Sequence, residues 1–125
     1  MNALDMARTA YTNTSAPIRT ARGTEYEVFA RVTRRLSATD RDKKASYPAF
    51  VAALNENRRL WTLLASDVAD SNNGLPAQLR AQIFYLAEFT IQHTSAVLNR
   101  RAEASALIEI NTAVMRGLQT MGGAK

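Results

Sequence analysis

Between Pro48 and Asp70 six side chains, Phe50, Leu54, Asn57, Trp61, Leu64 and Val68, follow one another at intervals of 4, 3, 4, 3 and 4 residues. That spacing holds one face of an α-helix in line over about five turns, and a strand, which changes face at every residue, cannot present it. The face carries the only tryptophan of the chain and a single amide, Asn57. An apolar stripe of this length requires other helices to cover it, so the chain is expected to build a bundle around this segment. An amide left without a partner inside such a stripe costs roughly 1–3 kcal/mol. Asn57 therefore either pairs across the bundle, with Asn111 or His93 as candidates, or faces a site. The reading favoured here is a register-setting pair with Asn111, with Trp61 at the border between core and groove.

The remaining punctuation divides the chain into about five helices. The pattern predicts a short helix over 2–11, with Leu4, Ala7, Ala10 and Tyr11 on its apolar face, and a linker over 12–22. Thr24 and Glu27 have capping-box spacing, so a second helix is placed over 24–37, followed by a charged loop over 38–46. Pro48 opens the third helix, 48–70, and Gly74 is its expected left-handed stop. Pro76 opens the fourth, 76–99, and Ser105 caps the last, 106–120. The three longer helices form the core of an all-α, single-domain bundle spanning 1–125. A chain of 125 residues buries about 60–70% of its unfolded surface without needing staples.

Composition removes several classes of function. There is no cysteine, so disulfides, thiolate metal sites and cysteine nucleophiles are all absent, as suits a reducing cytoplasm. His93 is the single histidine and reads as a satisfied side chain beside the core rather than a ligand or base. No glycine-rich phosphate loop and no close pair of carboxylates is present. The chain is therefore expected to be no enzyme and to hold no cofactor or metal. No apolar run reaches membrane-spanning length, and residues 1–10 lack the pattern of a secretory signal. Of the net charge of +5, residues 1–46 contribute nine Lys/Arg against five Asp/Glu. A mild excess of this kind keeps a surface solvated and steers acidic partners; nucleic-acid binding is the less favoured reading.

Segment 76–99 has only Arg80 and Glu88 as formal charges, and its apolar positions spread over about 200° where an ordinary surface helix shows roughly 100°. A small bundle covers such a helix incompletely, which leaves an apolar partner groove. Trp61, Leu64, Phe84, Ile91, Met115 and Leu118 are the residues expected to line it. Gly117, inside the last helix, costs about 1 kcal/mol relative to alanine, so a close approach is expected there.

Asn57-Arg58-Arg59-Leu60-Trp61, Leu75-Pro76 with Leu79-Arg80-Ala81, and Leu86-Ala87-Glu88-Phe89 with His93 together resemble the FlaF family of flagellar biosynthesis regulators. Leu107-Ile108-Glu109-Ile110-Asn111, Met115-Arg116-Gly117-Leu118, the pair Ala10-Tyr11 and the pair Glu25-Tyr26 extend the likeness over nearly the whole chain. The resemblance implies a bacterial cytoplasmic protein needed for flagellin production and export, working opposite the regulator FlbT and engaging flagellin as an export chaperone would. Flagellin termini are amphipathic helices, and an apolar groove would take one by helix-in-groove docking. Two other readings stay open. One is binding of flagellin messenger RNA through Arg31, Arg34, Arg35, Lys43 and Lys44; the other is a helical scaffold that receives FlbT or a second copy of the chain. Sequence does not fix the oligomeric state.

Overall fold

Apolar periodicity near 3.6 dominates the chain, and in the computed structural model all regular structure among the described residues is helical. The structure describes the backbone of residues 15–123 and the side-chain environments of residues 26–117. Four helices follow in order: α1 (Ser15–Arg41), α2 (Tyr47–Ala69), α3 (Ala77–Leu98) and α4 (Ser105–Gly123). The expected helix over 2–11 lies outside the described residues.

The largest departure from expectation is α1. From Ser15 onward the expected linker is helical, and α1 passes through Thr24 without the cap expected there. Pro17 is tolerated because it sits in the first turn, where its missing N–H has no intrahelical acceptor to lose. Gly23 costs about 1 kcal/mol in a helix interior, and burial of Phe29, Val32 and Leu36 further along outweighs it. At the other end α1 continues to Arg41 through part of the expected loop. There the Thr39 hydroxyl donates to the Arg35 carbonyl at 2.8 Å and Arg41 donates to the Ser37 hydroxyl at 2.9 Å.

The three later helices lie within a residue of their expected starts. Pro48 falls in the first turn of α2 as read from the sequence. The stop of α2 is built differently, because Gly74 does not adopt a positive φ. Asp70 turns extended, and side chains take the loose polar groups instead. Asn73 Nδ2 donates to the Asp67 carbonyl at 3.0 Å, Asn73 Oδ1 accepts from the Leu75 amide at 2.9 Å, and Arg80 reaches back from α3 to the Asp70 carbonyl at 3.2 Å. At the start of α4 the cap is the Ala104 carbonyl, which accepts from Leu107 at 2.9 Å, so Ser105 is the first helical residue rather than the cap.

α2 is the central element. Its stripe, Phe50, Leu54, Asn57, Trp61, Leu64 and Val68, is buried along its full length. One end joins a core of Phe29, Trp61, Leu64, Val68, Ile83 and Ala87; the other joins Leu36, Phe50, Leu54, Val97 and Leu107. α3 packs along α2, and α4 packs along α1, while α3 and α4 touch only slightly. α3 therefore buries one narrow stripe, Ile83, Ala87, Thr90, Thr94 and Val97. No helix among the described residues is long and apolar enough to cross a membrane.

Candidate functional site

The buried amides have a logic set by Trp61. An indole N–H only donates, so the group that meets it must be an acceptor. Trp61 Nε1 donates to Asn111 Oδ1 at 2.9 Å, which turns the Asn111 Nδ2 the other way. That nitrogen donates to Asn57 Oδ1 at 2.7 Å and to Thr33 Oγ1 at 3.1 Å. Three helices are thus tied at one layer, and the Asn57–Asn111 pair read from the sequence is a direct hydrogen bond. The arrangement leaves Asn57 Nδ2 buried without a protein partner. Rotating the Asn57 amide would set two donors face to face, so its orientation is fixed.

This layer lies inside the protein, and it changes the expected groove. Trp61 is 1% exposed and packs edge-on against Phe29 with ring centroids 5.7 Å apart. Leu64 is buried beside it. Both are core residues rather than groove lining, because they join Phe29 of α1 and Ile83 and Ala87 of α3 in one buried cluster. Phe84 is exposed and Ile91 half-buried, on one flank of α3 two turns apart. Met115 is half-buried and lines a different depression of about 640 Å³, between α1 and α4, with Tyr26, Thr33 and Ile108. The Leu118 side chain lies outside the described residues. The six positions therefore do not line one groove. Gly117 is exposed, and a Cβ placed on it would meet nothing within 4 Å, so no close approach explains it.

The surface that α3 does leave open is opposite its buried stripe. Tyr85 is 70% exposed, and Phe84 and Phe89 are about two-fifths exposed. Tyr85 stands between two shallow depressions of about 430 and 440 Å³, one bounded by Val68, Arg80 and Phe84, the other by Gln82 and Leu86, with Ala81 common to both. Phe89 stacks on His93 at a centroid distance of 5.2 Å, and His93 Nε2 lies 2.8 Å from the Glu103 carbonyl. A carbonyl can only accept, so Nε2 carries the proton. His93 thereby fastens Phe89 and links α3 to the segment before α4. Tyr85 and Phe89 are absent from the sequence-predicted site because that set follows the apolar stripe; the signal for them is their four-residue spacing on the face away from Ile83 and Ala87.

The basic residues do not form one free patch. Arg35 is paired with Glu56, and Lys43 with Asp40 at 3.0 Å and Glu103 at 3.8 Å. The hydrogen bond that Lys43 donates to Asp40, with the charges of Asp40 and Glu103, raises the Lys43 ammonium above the ordinary lysine value. Among the described residues no group of three or more His, Asp or Glu side chains is placed to hold a metal ion.

Fold and surface together define, over the described residues, a small all-helical protein with an exposed aromatic face on one helix, where Arg80 and Glu88 are the only formal charges. The family model described as flagellar protein FlaF matches residues 7–118, and the chain belongs to that family. Comparison with curated proteins and with solved structures gave no match.

Proposed function

We propose that this flagellar protein is a non-enzymatic chaperone and regulator that binds unassembled flagellin in the cytoplasm, promotes its synthesis and export, and acts opposite FlbT. The observation that carries the reading is the open face of α3. Tyr85 projects between two depressions and Phe84 and Phe89 flank it, on a helix with only two formal charges, Arg80 and Glu88. An amphipathic helix seeks such a surface: side chains at its i and i+3 or i+4 positions straddle the tyrosine, and the aromatic rings supply area at little cost in rotamer freedom. The terminal segments of flagellin are the helices of that kind that a flagellar export chaperone would shield. The messenger-RNA reading has less support, since two of its five cations are already paired with carboxylates.

Titration calorimetry of the full chain against flagellin and its two terminal segments tests the proposal. Binding is expected for at least one segment, and Tyr85→Glu or Phe89→Glu should weaken it at least tenfold. No heat with any of the three, or full affinity in both variants, overturns it.

A further inference from the structure

At the end of the bundle where the α1–α2 and α3–α4 connections meet, Tyr47, Phe50, Val97 and Ala104 form one side of a pocket of about 450 Å³. Ala102 and the charged residues Lys43, Lys44, Arg100 and Glu103 complete it. Val97 is twelve residues beyond Tyr85 on α3, about 18 Å along the axis at 1.5 Å per residue. The site is therefore separate from the aromatic face.

Arg100 is the feature that needs explaining. The end of α3 is a Schellman turn: the Arg101 amide donates to the Ala96 carbonyl at 2.8 Å and the Arg100 amide to Val97 at 2.9 Å. Arg100 itself has φ of 61°, a position where glycine is the usual choice, and among the described residues it is the only non-glycine with positive φ. Its guanidinium is held over the Tyr47 ring, 5.4 Å from the centroid. A local preference is overridden, and what it yields is a cation fixed at the mouth of a pocket.

The charges in the pocket differ in availability. Lys43 is occupied by Asp40 and Glu103 and lies over Phe50. Lys44 and Arg100 have no carboxylate partner among the described residues. Two free cations beside an apolar wall match a ligand with one or two carboxylates next to an apolar group. A nucleic-acid strand fits less well, because it needs a run of cations that follows its backbone, and two cations at one pocket do not make such a track.

We infer that this pocket receives an acidic protein segment, seating an aliphatic side chain against Tyr47 and Val97 while a neighbouring carboxylate pairs with Lys44 and Arg100. The test is an amide-shift titration of the isotope-labelled full chain with three probes. The first is a capped tetrapeptide of one leucine and three glutamates, the second its glutamine counterpart, and the third a short oligouridylate. The glutamate peptide should shift Lys44, Tyr47, Val97 and Arg100, and the glutamine peptide should bind at least fivefold more weakly. Arg100→Gly should weaken the glutamate peptide at least fivefold without lowering the melting temperature. Lys44→Gln, in an exposed turn, should weaken it similarly and gives a second reading of the same site. Equal binding of the two peptides, shifts confined to other residues, unchanged affinity in both variants, or response to oligouridylate alone would each overturn the inference.

Discussion

Removing Asn111 and removing Asn57 are unequal losses. Asn111 makes three hydrogen bonds, to Trp61, Asn57 and Thr33, whereas Asn57 accepts one and already has an unpartnered Nδ2. Asn111→Ala strands the Trp61 N–H and the Asn57 carbonyl oxygen, each a buried polar atom worth about 1–3 kcal/mol. A total loss of about 2–4 kcal/mol is expected, against about 1–2 kcal/mol for Asn57→Ala, which removes its own unsatisfied donor as well. Urea unfolding of both single variants and the double variant measures the two costs. Coupling of about 1 kcal/mol or more is expected, and additive effects would mean that the bond between them carries nothing. Gly117 gives the opposite sign. A methyl group added there meets nothing within 4 Å, so Gly117→Ala should raise stability by about 0.5–1 kcal/mol through helix propensity alone. A lower unfolding midpoint would show that another contact uses the open space.

At the scale of the helices, the buried stripe of α3 is apolar except for two threonines. Thr94 donates to the Thr90 carbonyl at 2.7 Å, but the Thr90 hydroxyl is buried with no protein partner. Thr90→Val keeps the branched shape and removes that hydroxyl, so stability should stay within about 0.5 kcal/mol or rise. Thermal unfolding checks it, and a loss above about 1.5 kcal/mol would point to a bridging water that the hydroxyl needs. The legibility of these elements follows from how local their signals are. Pro48 and Pro76 mark the starts of α2 and α3 to within a residue, because a proline at a helix start acts through its own φ and missing N–H. The unity of α1 is not legible: a capping pair at Thr24 and Glu27 and a Thr/Ser/Pro run are local stop signals, and what overrides them is burial against α2 and α4, which is tertiary. The candidate surface moves for the same reason. With Trp61 and Leu64 buried in the core, the open apolar area lies on the far side of α3, where Tyr85 and Phe89 stand.

For the whole molecule, the helices are unequally supported. α2 is packed by both α1 and α3, and the amide layer joins α1, α2 and α4, whereas α3 rests on α2 and scarcely meets α4. Local opening costs less where fewer buried contacts must break. Native-state hydrogen exchange should therefore show the slowest amides around Asn57 and Trp61 in α2 and measurably faster exchange in α3 between Ala81 and Phe89. A partner seated on the face of Tyr85 and Phe89 covers a helix whose support comes almost wholly from α2, so its binding energy adds to the opening cost of α3 and not to that of α1. Saturating flagellin should accordingly slow exchange across Ala81–Phe89 at least tenfold while the amides of Val32 to Leu36 change little. Equal slowing in both regions would mean that ligand stabilises the fold as a whole, and slowing confined to α1 would move the binding face to the opposite side of the bundle.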